Sequence, residues 1–422
     1  MKTMPFTGAV IVCCVFVLLC GGGCSDSAKP ATATPGRNPQ LVIDNRLVNA
    51  ANDFAFRSYA QLAKTQAGTN LFISPTSIEL ALAMTYNGAK GSTKDAMAQA
   101  LGVQAMTLDE VNAANAQLLT LLQNPDSKVQ LNIADALWGR QGFTFDPGFL
   151  QRNKQYYQAD VQTIDFTAPN SADIINSWVS RKTLGMIPTL VDYPSIKDAL
   201  MVLANALYFK GQWTTPFDPK ATQEGPFTLP GGDVRMLAMM RNSAEDYRYL
   251  ETDQFQAIAL PYGEKYVSMY VFLPKAGVTL SAFTGNLTSP HWNQWMTQFT
   301  RQAGSLQLPR FSADYATSLK DTLTALGMGV AFTNAADLSG MLPPGVTSTV
   351  GKPVISDVIH KTAIRVNEEG TTAAAATGVI VTPTAVLPSF SMTVDHPFFL
   401  VIRDDPTGAI LFMGSIVAPE KL

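Results

Sequence analysis

The sequence predicts a single α+β domain following a short export segment. Three observations predict it. Apolar residues fall at helical spacing through the first part of the chain and at strand-like alternation in much of the later part. Nothing resembling a linker divides 41–422, and no internal repeat is present. All four cysteines, Cys13, Cys14, Cys20 and Cys24, lie at the start, so the body carries no disulfide and no thiol site for catalysis or metal. With 422 residues, 46% of them hydrophobic, the chain can build one large core or two ordinary ones. A net charge of −3 and a pI of about 5.7 imply no basic surface for nucleic acid.

The first residues read as an address. Lys2 gives one positive charge, Ala9 to Cys20 is apolar, and Gly21-Gly22-Gly23-Cys24 follows. This is the pattern of an export signal over 1–24. The apolar run is shorter than the roughly 20 residues that span a bilayer. Small residues before Cys24 resemble the lipobox of bacterial lipoproteins, although Gly21 stands where leucine is usual. That resemblance implies a lipidated Cys24 and a place in the bacterial cell envelope, at the outer membrane or surface, or outside the cell. Residues 25–40, rich in Ser, Ala, Thr and Pro, read as a flexible tether.

The body follows in order. Leu41 to Ala67 has helical spacing, and Leu71 to Ile73 is a short strand. Ser74-Pro75 starts a helix, serine as cap and proline at the first position, running to a stop at Gly88. Helices are expected over Thr93–Leu101, Leu108–Leu122, Pro147–Tyr157, Asp173–Thr183 and Tyr315–Leu326. Strands are expected over Val129–Trp138 and Ala199–Tyr208, the second with Asn205 inside it. From Phe227 to Leu273 the pattern becomes several strands with short turns. Phe398–Asp404 and Ala409–Met413 read as a hairpin across Asp405-Pro406-Thr407-Gly408.

Val366 to Leu387 fits no single local preference. Four alanines, Ala373 to Ala376, favour helix. The threonines and Val379-Ile380-Val381 favour strand. A helix turn packed on the core and a linker are the plain readings. A loop able to join a β-sheet is the other, with Gly370 as its hinge. Such insertion sends alternate residues inward, either Thr371, Ala373, Ala375 and Thr377, or Thr372, Ala374, Ala376 and Gly378. Both sets are small.

Five stretches together resemble the serpin family, and the likeness covers nearly all of 41–422. They are Asn70-Leu71-Phe72-Ile73-Ser74-Pro75-Thr76-Ser77-Ile78, then Asn87 to Thr93, Asn205 to Trp213, Asn367 to Ala376, and the pair Asp395-His396-Pro397-Phe398 with Leu411-Phe412-Met413-Gly414. The resemblance implies a large central, mostly antiparallel sheet, further sheets, eight or nine helices and an exposed reactive loop. It implies a monomeric suicide inhibitor of serine proteases without a cofactor, in which the cleaved loop inserts into the main sheet and traps the acyl-enzyme. The hinge would be Glu368, Glu369, Gly370, Thr371, Thr372 and Ala373 to Ala376. Counting as in most inhibitory members puts the scissile bond at Thr384–Ala385. The loop is about two residues longer than usual, which leaves Val386–Leu387 as the alternative. Threonine or valine before the bond suits an elastase-like or subtilisin-like pocket rather than a trypsin-like one. Ser74, Ser77, Asn205 and His360 match a polar cluster beneath the sheet, Glu368 and Arg310 an ion pair at its top, and Trp213 a tryptophan beside them.

Two rivals differ in class. A hydrolase would need a nucleophile motif, and the three histidines sit in no Gly-x-Ser-x-Gly or His-x-x-x-His context. A non-inhibitory serpin, a carrier or binding protein, is the alternative within the family, and the small-residue hinge argues against it.

Overall fold

The computed structural model describes residues 37, 42–123, 125–371 and 389–422. Helix α1 (Asn45–Thr65) starts where the Asp44 side chain accepts from the Arg46 N–H. Strand β1 (Leu71–Ile73) leads into α2 (Pro75–Tyr86), which Ser74 caps with Pro75 in its first turn. Every residue of α2 is buried, the polar Thr76, Ser77, Glu79 and Thr85 included, and the helix serves as the axis of the core. Helices α3 (Gly91–Leu101) and α4 (Leu108–Gln123) follow, then β2 (Val129–Arg140), α5 (Pro147–Tyr157), β3 (Asp160–Ile164), α6 (Ser171–Lys182), the single turn α7 (Tyr193–Ile196) and β4 (Met201–Gln212).

The later part is strand-rich: β5 (Gln223–Thr228), β6 (Val234–Glu251), β7 (Phe255–Tyr262) and β8 (Val267–Pro274). Helices α8 (Leu280–Gly285) and α9 (Ser289–Gln298) precede β9 (Thr300–Pro309), β10 (Phe311–Ser318) and the turn α10 (Lys320–Leu323). Then come β11 (Asp357–Val366), the two-residue β12 (Gly370–Thr371), β13 (Phe390–Thr393), β14 (Phe398–Asp404) and β15 (Ile410–Ile416). The described residues form one compact unit.

Two sheets organise these strands. A nine-stranded sheet runs β1-β15-β14-β8-β7-β6-β9-β13, with β5 on β6, and a six-stranded sheet runs β10-β11-β12-β4-β2-β3. The six-stranded sheet is buried on both faces at its central strand β4, while its edge strands β10 and β3 carry exposed residues. Leu131, Leu137, Leu203, Leu207, Val358 and Ile364 face the main core around α2. Ala134, Ala136, Trp138, Val202, Ala204 and Ala206 face a second core under α6.

One expected helix is corrected. Tyr315 to Ser318 belongs to strand β10, and only Lys320–Leu323 is α-helical. Phe311 to Ser318 pairs in unbroken register with Val366 to Ile359, and that ladder overrides the helical spacing of Tyr315, Leu319 and Leu323. Gly327, at φ 99, then breaks the following π-type turn. Among the described residues no helix is long and apolar enough to cross a membrane.

Candidate functional site

The top of the six-stranded sheet is built around the start of the Val366–Leu387 stretch. Strand β11 ends at Val366, and Asn367 to Gly370 make a tight turn in which Asn367 Oδ1 accepts from the N–H groups of Glu369 (3.0 Å) and Gly370 (3.1 Å). The chain re-enters the sheet at once. Gly370 and Thr371 lie between β11 and β4, antiparallel to both, with Val366↔Thr371 on one side and Gly370↔Gln212 and Thr371↔Gly211 on the other. Gly370 is required by close approach, because a Cβ there would collide with the Gly211 carbonyl. Thr371 lies opposite the buried Val366 and so points to the main core, where its hydroxyl meets the Tyr262 hydroxyl at 2.6 Å. Of the two insertion registers, this is the one that starts with Thr371 inward.

Trp213 clasps the turn. Its Nε1 donates to the Asn367 carbonyl (2.9 Å), its backbone N–H to the Glu369 carbonyl (2.9 Å), and its ring stacks on Tyr262 at 4.4 Å. The Phe217 N–H holds the Glu368 carbonyl. The expected ion pair at the top is present but loose. Arg310 Nη1 stands 3.7 Å from Glu368 Oε1 and its side chain is 39% exposed, whereas Thr222 Oγ1 donates to the same carboxylate at 2.8 Å.

Below β12 the sheet is parted. β4 and β11 pair in parallel only from Asp357↔Val202 to Lys361↔Ala206. Above Lys361 and Ala206 the two strands diverge around a slit. Thr362 to Arg365 form one edge and Leu207 to Lys210 the other.

At the foot of the slit lies the polar cluster. Asn205 Nδ2 donates to the Ser77 carbonyl (2.9 Å) and contacts Ser77 Oγ, while Ser77 N–H points to Ser74 Oγ (3.4 Å). His360 Nε2 accepts from the Ser74 N–H at 3.1 Å. That acceptor role leaves the proton on Nδ1, which donates to Asn205 Oδ1 at 2.6 Å. Burial pushes His360 down to about 3, so the ring is neutral. Since His360 and Asn205 are directly paired on β11 and β4, this bond ties the last closed part of the seam. All four cluster residues are fully buried.

Ser74, Ser77, Asn205 and His360 are thus brought together, and Glu368, Arg310, Trp213, Gly370 and Thr371 surround the top of the slit. Thr372, Ala373 to Ala376, Thr384, Ala385, Val386, Leu387 and Cys24 lie outside the described residues. Tyr262, Thr222 and Asp135, which accepts from Asn205 Nδ2 at 2.6 Å, belong to the site although sequence reasoning passed over them. Only Asp135 carried a signal, an acid on the inward alternation of a strand. The remaining histidines bind backbone or a neighbour: His291 Nδ1 contacts the Asn286 carbonyl, and His396 lies between Asp395 and the Pro274 carbonyl. Among the described residues no cluster of His, Cys, Asp and Glu could hold a metal.

The sequence resemblance implied an exposed loop beside a mostly antiparallel sheet; the structure adds a strand of two residues, Gly370–Thr371, already seated between β11 and β4. The family profile described as Serpin (serine protease inhibitor) matches residues 49–419. The chain belongs to the serpin family. It is 34% identical over 384 residues to leukocyte elastase inhibitor of Bos taurus, covering 88% of this chain and 99% of that protein. The native structure of tengpin, a thermophilic serpin, superposes with a TM-score of 0.81 at 30% identity, covering 91% of this chain and 97% of that one. Thyroxine-binding globulin in complex with thyroxine superposes with a TM-score of 0.79 at 27% identity over 88% of this chain and 99% of that one. The chain thus resembles both a protein named as an elastase inhibitor and one named as thyroxine-binding.

Proposed function

We propose that this serpin inhibits a serine protease of elastase-like or subtilisin-like specificity as a suicide substrate. The protease serine attacks the Thr384 carbonyl, and the bond to Ala385 breaks. The Ala385 nitrogen leaves as an amine, taking the proton from the protease's base, and Thr384 remains as an ester on the serine. Hydrolysis of that ester competes with insertion of the freed loop between β4 and β11, which drags the protease along and distorts it.

The observation that carries this reading is the position of β12. Two hinge residues, Gly370 and Thr371, already form a strand between β4 and β11, antiparallel to both as full insertion requires. Continued from Thr371, the alternation sends Ala373, Ala375 and Thr377 toward the core and Thr372, Ala374 and Ala376 toward α6. On the order of ten new ladder hydrogen bonds at about 0.5–1.5 kcal/mol each, with burial in addition, match the scale of a domain's stability. Under this proposal the Ser74–Ser77–Asn205–His360 cluster controls sheet opening, and Trp213, Arg310 and Glu368 hold the hinge.

The test is to mix the protein with an elastase-like and a subtilisin-like protease. A band of summed mass that survives SDS supports trapping, and the first residue of the released C-terminal peptide identifies the bond as Thr384–Ala385 or Val386–Leu387. Cleavage in the loop without such a band, for both proteases, refutes inhibition. A cavity of about 410 Å³ beside Tyr59, Leu71, Leu229, Leu280 and His396 favours the second reading, a carrier of a small molecule. We further propose that the protein acts as a monomer and is exported and lipid-anchored through Cys24. Cys24→Ala then moves it from the membrane fraction to the soluble fraction.

A further inference from the structure

Beside the Asn205–His360 link lie two buried carboxyl groups. Asp135 on β2 sits directly opposite Asn205 on β4, just as His360 on β11 does from the other side, so the three form one row across the seam. Glu79 projects from α2, and its Oε1 accepts from Asn115 Nδ2 of α4 at 3.2 Å. Glu79 Oε2 and Asn115 Oδ1 are both buried and have no hydrogen-bond partner. Two acceptors without a donor lack a proton, and a protonated Glu79 carries one.

The surroundings offer neither acid a counter-charge. The titratable groups facing them are each other, Tyr157 of α5 and His360 of β11. From α4 and β4 come only the amides of Asn115 and Asn205. Among the described residues no Lys, Arg or His forms an ion pair with Glu79 or Asp135. Burial raises Asp135 to about 7, and burial with the Asp135 charge raises Glu79 to about 7. His360 stays neutral throughout that range.

We propose that Asp135 and Glu79 are positioning residues of the β4–β11 seam, and that proton release from this buried pair speeds the parting of the two strands. The inference rests on the loop-insertion reading. Parting the seam at His360–Asn205 lets water reach the row, and hydration favours the charged carboxylates. The closed sheet therefore holds protons that the opened sheet releases. Between the ordinary carboxylate range and about pH 7, raising the pH weakens the closed sheet relative to the opened one. Above that range the effect levels off, and below it the neutral pair holds the sheet shut.

The test separates the proton effect from protease recognition. A capped synthetic peptide copying residues 371–384, which contains no ionisable side chain, is mixed with the intact protein between pH 5 and pH 8. Uptake is followed by tryptophan fluorescence and native gels. The expected rate rises on the order of tenfold across the window and then flattens. Asp135→Asn, which keeps an acceptor for Asn205, removes most of the rise, and Glu79→Gln removes part. A flat wild-type profile overturns the proposal. So does a profile that survives both acid variants and disappears in His360→Gln. Absence of uptake at every pH overturns the insertion reading, and this proposal with it.

Discussion

Two strand seams run through the main core, and they are built in opposite ways. β7 and β8 pair antiparallel from Phe255↔Pro274 to Tyr262↔Val267 without a break. That seam is packed with rings: Phe272 lies about 6 Å from Phe255, Phe283, Trp292 and Trp295. β4 and β11 pair in parallel over a short run, are tied at one point by His360 and Asn205, and are already parted above it. Parallel pairing is slightly weaker per residue, and a hydrogen bond can be exchanged for another partner where a packed ring cannot. The difference separates the part of the sheet system that holds the molecule together from the part that the proposed insertion would open.

Phe272→Ala attacks the fixed seam. It should lower global stability by about 3–5 kcal/mol in chemical denaturation. The fraction of protein that remains folded should still trap protease. If trapping falls while the fold persists, the two seams are not independent. Thr371→Arg attacks the moving seam at its mouth, where the side chain is buried against Tyr262. A cation without a partner there should turn inhibitor into substrate, reducing SDS-stable complex at least about a hundredfold. Circular dichroism should show the fold unchanged.

Asn205→Ala removes the tie itself. Leaving His360 and Asp135 without their shared partner should cost about 1–3 kcal/mol of native stability. It should also accelerate spontaneous conversion to the inserted form, read as a gain in heat resistance after incubation. A loss of stability without faster conversion would make the cluster ordinary core. Arg310→Ala should have the smallest effect, about 0.2–1 kcal/mol, because the pair with Glu368 is long and half in solvent. A larger effect on complex formation would mean that Arg310, rather than Thr222, holds Glu368.

Much of this was legible from residue order where local chemistry decides the outcome. Ser74-Pro75 opens α2 because a hydroxyl cap and a fixed φ act within one turn. The hairpin at 405–408 follows from equally local demands, whereas the hinge glycine answers to the distant Gly211 carbonyl. Strand β11 was harder, because Lys361 and Arg365 interrupt its apolar run and its inward row is Val358, His360, Thr362, Ile364 and Val366. Tyr315 looked helical because only its partner strand reveals the alternation. Asp135 joins Asn205 and His360 through cross-strand register, which no spacing along one strand encodes. The stretch read as a tether is also held at one residue: Arg37 forms a bidentate pair with the buried Asp404.

The length of β4 sets a mechanical scale. A loop drawn down its twelve residues travels about 40 Å at roughly 3.3 Å per residue. If insertion releases on the order of 10 kcal/mol, the mean pull along that path is on the order of 10–20 pN. That pull would act on the attached protease through a single chain for as long as the ester survives. With the sheet already parted beside Leu207 to Lys210, the proposed stroke would begin without a ladder to break there.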